Sequence, residues 1–311
     1  MTMADVPAVT SLMRRVSLDA IGEADANESE VRDDLSLPRF DITTDTALVL
    51  RDGVALVFVQ AHDEHDERGF IDVFVDTELD DELFSHVADK AIAGAIARLR
   101  EALAARGGEH TVVQAGLYQQ EKQMAAAYAR AGLQRSRVYW RMTKDLSQLP
   151  VTVDVPPGFT IRSVDPDDDD VMRLVVKLRN DSFSEHHGNV DMKFQEFAER
   201  WRESSKYDRK AWWIAYRGDE PVGLCLGNES KSDSNAGYIP TLGVVKSSRG
   251  HGIARALLFT AFAEYRSRGR TSVELGVDSS NETGATRLYE SVGMTIKLAI
   301  DSMELRLSTH E

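Results

Sequence analysis

The stretch with the most chemistry in it is Val244-Val245-Lys246-Ser247-Ser248-Arg249-Gly250-His251-Gly252-Ile253-Ala254. Gly250 and Gly252 leave the backbone uncovered and let it bend. The apolar run Tyr238 to Val245 precedes it and reads as a strand. Ala254, Leu257, Leu258, Ala261, Phe262 and Tyr265 follow at spacings of three and four, which puts them on one face of a helix. A strand, a glycine loop and a helix in that order aim successive N–H groups outward at the positive end of the helix dipole. That arrangement suits a pyrophosphate. Arg249 is expected to add a fixed positive charge at the rim.

Other phosphate loops fit less well. A P-loop ends in Gly-Lys-Ser/Thr, where this chain has Gly252-Ile253-Ala254. A dinucleotide fingerprint needs a third glycine near position 255, which is Arg255. The stretch resembles the coenzyme A loop of the GNAT acetyltransferases, Arg/Gln-x-x-Gly-x-Gly/Ala, carried here by Arg249, Gly252 and Ala254 with Gly250 at a favoured position. The resemblance continues through Val273-Glu274-Leu275-Gly276-Val277, Asn281, Ala285, Leu288-Tyr289-Glu290 and Gly293-Met294. It is specific over residues 235–305 and a matter of pattern elsewhere. The plain alternative is a strand–helix turn with no ligand.

The resemblance implies acetyl-CoA as co-substrate, no metal, and direct transfer of acetyl to a primary amine of a small molecule in a ternary complex. It implies coenzyme contacts from Leu242, Val244 and Val245 on the opened central strand, from Arg249, Gly250, His251, Gly252, Ile253 and Ala254, and from Asn281. Eight steps separate Asn281 from Tyr289 where many members have seven, which loosens the Asn281 assignment. Tyr289 matches the tyrosine that protonates the departing thiolate; its plainer role is a core aromatic. Some members carry a glutamate base where this chain has Gly276. Glu274, two residues earlier, shares that strand face and is the candidate base, or else a structural acceptor. Glu185, His186 and His187 fall where the family borders its acceptor pocket; an exposed polar loop is the rival reading. Cys225 lies mid-strand and is a poor nucleophile candidate.

The elements around these residues suggest an α/β protein of two tandem GNAT-like domains, each a mixed, mostly antiparallel sheet flanked by helices. Helices are expected over 5–22, 81–106, 121–131, from the Asp165–Asp170 run to about 179, 194–202 and 253–268. Strands are expected over 49–50, 54–60, 70–75, 111–117, 136–143, 159–163, 212–216 and 222–226, with Asp52-Gly53 turning the first hairpin. The strand–helix–strand–helix–strand order occurs twice, and Tyr128-Ala129-Arg130-Ala131-Gly132-Leu133 echoes Tyr289-Glu290-Ser291-Val292-Gly293-Met294. The expected division is a degenerate domain at 1–147, a proline-rich linker at 148–158 and a catalytic domain at 159–311. Where the second copy has its glycine loop, the first has Asp76-Thr77-Glu78-Leu79-Asp80-Asp81-Glu82, which would repel a pyrophosphate.

Composition narrows the partners. With 51 acids against 37 bases the net charge is −14, which argues against nucleic acid. Residues 1–150 hold 26 acids and 16 bases, leaving 25 and 21 for the half with the glycine loop. No run reaches a membrane span, no signal peptide is expected from Met1-Thr2-Met3-Ala4-Asp5, and Cys225 is the only cysteine. A cytoplasmic location is expected, with no membrane partner. The Asp165–Asp170 run reads as a helix cap in preference to a metal site. Outside direct transfer to a small amine, the open readings are a non-catalytic acetyl-CoA sensor, a protein N-terminal acetyltransferase and a structural pseudo-enzyme.

Overall fold

The structure is a computed structural model that describes residues 1–37, 40–65, 68–148, 154–184, 191–281 and 284–308. The chain divides into two compact units. The first comprises Met1–Trp140, Asp278–Ser280 and Leu298–Glu311, and the second Arg141–Val277 and Asn281–Lys297. This differs from the linear division at 147 and 159. The reason is strand pairing, which joins segments far apart in sequence.

The first unit opens with α1 (Val6–Ile21) and α2 (Glu28–Leu35), followed by β1 (Thr46–Arg51), β2 (Val54–His65) and β3 (Arg68–Val75). Then come α3 (Asp81–Ala105), β4 (His110–Tyr118), α4 (Lys122–Arg130) and the start of β5 (Gln134–Asp145). Asp52 and Gly53 turn the β1–β2 hairpin with φ of 53° and 79°, the double positive that this turn requires. Alternation along the strands sends Val57, Val59, Ala61, Ile71, Val73 and Val75 to one face, where Phe84, Ile92 and Leu99 of α3 and Tyr128 of α4 cover them. Phe58 meets Val9, Leu12 and Val16 of α1 and Val31 and Leu35 of α2 on the other face. β3 and β4 are parallel, and their rungs stop at Phe70↔Gln114. The far end of the final strand, β11 (Thr295–Ser308), pairs antiparallel with all of β4, from Ile300↔Tyr118 to Ser308↔His110.

The second unit holds β6 (Phe159–Ser163), α5 (Asp169–Phe183), α6 (Phe194–Arg202), β7 (Trp212–Arg217), β8 (Glu220–Asn228) and β9 (Ala236–Val244). It continues with α7 (Ile253–Ser267), β10 (Ser272–Asp278) and α8 (Ala285–Ser291). Its strands lie in the order β10-β9-β8-β7-β6, antiparallel except for the parallel β9–β10 pair. Met172, Val175 and Leu178 of α5 and Phe197 of α6 pack on Trp212, Ile214, Leu224 and Leu226. On the opposite face Tyr265 of α7 sits so close that a Cβ on Gly237 would lie 2.4 Å from its ring. Its hydroxyl donates to the carbonyls of Asn228 and Tyr238, 3.1 Å each.

The aspartate run acts as a cap and a charge cluster. Asp168 accepts from the Asp170 N–H at the start of α5, while Arg202 reaches Asp169 and Arg209 reaches Asp165 and Asp167. Among the described residues no group of three or more His, Cys, Asp and Glu side chains could hold a metal. No helix there is long and apolar enough to cross a membrane.

Candidate active site

β9 ends at Val244, a short 3-10 turn spans Lys246–Ser248, and α7 begins at Ile253. Gly250 and Gly252 take φ of 79° and 80°. A Cβ on Gly250 would meet nothing within 4 Å, so glycine is required there for its torsion angle and not for space. Within the described residues, no backbone carbonyl accepts from the N–H groups of 250–255; the first bond of α7 runs from Ala256 N to Gly252 O, 3.1 Å. The result is a row of six backbone donors leading into the positive end of a 15-residue helix.

The side chains around the loop brace it. Arg249 does not stand free at the rim. Its Nε donates to Val244 O and its Nη2 to Ser182 O, 3.0 Å each, so the guanidinium ties the loop to the ends of β9 and α5. Carbonyls in reach are good partners for a planar, multi-donor cation. His251 Nδ1 lies 3.0 Å from Arg249 O and its ring packs on Phe159. Arg217 also lies over Phe159 and donates to Ser248 Oγ at 2.9 Å.

The central strand is open on one side. β9 and β10 are paired only from Ala236↔Ser272 to Tyr238↔Glu274. β9 then runs six residues further and β10 four further with no rungs between them. Val245 N donates to Val222 O at 3.0 Å, toward β8. Strand alternation therefore turns the N–H groups of Leu242 and Val244 the other way, into the gap that β10 has left. Val245 differs from the expectation here, because its N–H is already bonded.

Tyr289 on α8 is 8% exposed. Burial, with the Cys225 thiol and Tyr238 phenol close by, pushes its hydroxyl well above the ordinary tyrosine range, so it keeps its proton at neutral pH. Tyr289 thus lies within electrostatic reach of Cys225 on β8 and Tyr238 on β9. Arg255 Nη1 donates to Ser291 O at 2.9 Å and fastens the first turn of α7 to the end of α8. The loop and Tyr289 are thus brought together. Asn281 follows a turn in which Asp278 Oδ1 accepts from the N–H and hydroxyl of Ser280.

Glu274 is 2% exposed and pairs with Lys297 Nζ at 2.7 Å. Tyr238 stands opposite it on the last rung, with its hydroxyl near Gly276. Sequence reasoning missed Lys297 and Tyr238. A lone lysine in the apolar run Ile296-Lys297-Leu298-Ala299-Ile300 was the available signal. Glu185, His186 and His187 lie outside the described residues. Nearby, Asn180 of α5 clasps the backbone N–H and carbonyl of Met192, 3.0 Å each.

Residues 173–294 match the Acetyltransferase (GNAT) family. The chain is 31% identical over 179 residues to a mycothiol acetyltransferase of Thermobispora bispora and 27% identical over 179 to one of Catenulispora acidiphila. These alignments cover 56% of this chain in both cases, and 59% and 56% of the two relatives, so the chain spans little over half the length of the curated relatives it matches. Among solved structures it is similar to a GCN5-related N-acetyltransferase from Sphaerobacter thermophilus, with TM-score 0.83 and 25% identity over 99% of this chain and 94% of that one. A tandem GNAT protein from the clavulanic acid biosynthesis pathway shares the fold at TM-score 0.68 and 15% identity, over 97% and 95% of the two chains. The glycine loop and the opened strand thus lie within the stretch that matches the GNAT acetyltransferase family, in a chain whose fold is similar to that of a tandem GNAT protein.

Proposed function

We propose that the protein is an acetyl-CoA-dependent N-acetyltransferase that acetylates a primary amine of a small molecule by direct transfer, and that the second unit does the chemistry. The observation that carries this is the row of six unbonded N–H groups beside a strand opened next to a buried, protonated phenol. The curated relatives bear the name mycothiol acetyltransferase, which supports a small acceptor.

The donor set fits the coenzyme. The N–H groups of 250–255 would hold its pyrophosphate, with Gly252, Ile253 and Ala254 at the helix start and Arg249 and His251 bracing the loop. Bound there, the coenzyme supplies a thioester carbonyl open to attack by an amine. The N–H groups of Leu242 and Val244 face the gap and stabilise the negative charge that gathers on the carbonyl oxygen. Tyr289 donates its proton to the departing sulfur. Glu274 receives the proton that the amine loses. Asn281 contacts the coenzyme from the turn after β10, and Glu185, His186 and His187, outside the described residues, are the proposed acceptor contacts. The first unit serves as a structural or pocket-shaping partner.

Titration calorimetry with acetyl-CoA, followed by an amine screen that reads release of the free thiol, tests the proposal. One site per chain and turnover with at least one amine are expected. Binding without turnover on any amine would replace the enzyme with an acetyl-CoA sensor. No binding would remove the reading.

A further inference from the structure

We infer that Lys297 is a positioning residue for Glu274, and that the pair forms the acceptor side of the site. The inference rests on the function proposed above and deepens it. Glu274 sits on the last rung before β9 and β10 part. One carboxylate oxygen, Oε1, accepts from Lys297 Nζ at 2.7 Å. The other, Oε2, is buried and has no hydrogen-bond partner among the described residues.

A buried pair gains most stability when every oxygen is bonded, and here one is not. A half-satisfied buried ion pair is poorer than an apolar contact of the same size, because desolvation exceeds the attraction unless the remaining lone pairs are bonded. The missing partner of Oε2 is a donor from outside the protein, and at the mouth of an opened GNAT strand that donor is the N–H of the acceptor amine. Lys297 sets a positive charge against the buried carboxylate and fixes which oxygen is left over. Among the described residues, Lys297 of β11 pairs with Glu274 and Tyr238 of β9 stands opposite it, while β5, the other neighbour of β10, carries the charged residues Arg141, Lys144 and Asp145.

The step balances. The amine lone pair forms the new C–N bond and the C–S bond breaks. The amine proton passes to Glu274 Oε2, and the Tyr289 proton passes to the leaving sulfur. Exchange with solvent returns both groups to their starting forms.

The test uses the full chain and the variants Lys297→Met, Lys297→Arg and Glu274→Gln. Each is measured for acetyl-CoA binding by calorimetry, for melting temperature, and for steady-state turnover against pH. Acetyl-CoA affinity is expected within about threefold of wild type throughout. Lys297→Met and Glu274→Gln should each lower kcat by about 100-fold or more, and Lys297→Arg should recover to within about tenfold. The pH profile of kcat/KM should differ between Lys297→Met and wild type, because the cation that pairs with Glu274 is gone. A Lys297→Met protein that melts earlier yet keeps wild-type kcat and pH profile overturns the inference and leaves the acetyltransferase standing. Should Lys297→Met not fold, wild-type turnover in Glu274→Gln overturns the inference equally. A wild type that does not bind acetyl-CoA overturns both readings.

Discussion

The two units use the same order of elements around a parallel strand pair that opens, and they treat the opening in opposite ways. In the second, the N–H groups of 250–255 have no backbone partner among the described residues, the helix begins at a glycine of positive φ, and the charge of Arg249 is tied down to carbonyls. In the first, the corresponding segment satisfies itself. Asp76, buried, accepts from Arg15 at 2.8 Å and from the Glu78 N–H, and Asp80 caps α3 by accepting from Leu83 N. Tyr128, the counterpart of Tyr289, hydrogen-bonds the Val73 backbone inside the opened pair, and burial with the nearby Asp72 and Glu121 charges pushes its hydroxyl up. A repeated order of elements thus separates into a copy whose loop N–H groups lack backbone partners among the described residues and a copy whose polar groups answer one another. The difference lies in a few side chains, not in the topology.

The largest test of this contrast is Gly252→Val. A branched side chain at φ of 80° cannot hold the loop. Acetyl-CoA affinity should fall by about 100-fold or more in calorimetry, while the melting temperature changes little. Retained affinity would mean that the loop is not the anion site. Next, Tyr289→Phe should lower kcat by about 100-fold with unchanged coenzyme affinity. Tyr128→Phe should leave kcat alone and cost on the order of 1 kcal/mol of stability in urea unfolding, through loss of a buried hydrogen bond. Similar kinetic losses in both variants would erase the asymmetry.

A pH effect belongs to the first unit. Burial pushes the Glu121 carboxyl from 4.5 up to about 7, against the opposing Tyr118 N–H. The folded state therefore favours the protonated acid. Its contribution is complete below about pH 4.5 and is lost as pH rises through about 7. Glu121→Gln should stabilise the protein by on the order of 2 kcal/mol at pH 8 and by almost nothing at pH 4, read from urea midpoints. The smallest expected effect is from Glu78→Gly, which lends the first copy a glycine. It should create no second acetyl-CoA site and shift stability by less than about 1 kcal/mol. A second site in calorimetry would show that glycine alone separates the copies.

How much of this the sequence disclosed follows the range of the interactions. The glycine loop was legible because its geometry is set by residues within six positions, and the helices 81–106 and 253–268 because apolar spacing is local. Helix α2 was missed because Glu28-Ser29-Glu30-Val31-Arg32-Asp33-Asp34-Leu35 buries only Val31 and Leu35. The helix before Ser184 was drawn about four residues short, since its last turn carries polar residues. The target of the Arg249 guanidinium could not be read, because charge is a property of residue type and direction is not. The Glu274–Lys297 contact and the β4–β11 pairing were invisible for the same reason: they are settled by which strands meet.

That last pairing has a consequence for how the molecule comes into being. Residues 110–118 find their partners at 300–308, so the first unit's sheet waits for segments made almost 200 residues later. During synthesis the edge of β4 stays bare while the whole second unit emerges, an interval in which an unpaired strand invites association with other chains. Closing so long a loop slows folding far more than it weakens the product. The proline-rich segment that looks like a place to divide the gene is therefore a poor one. A fragment ending there would lack its own final strand, and its complement would carry a strand with nowhere to dock.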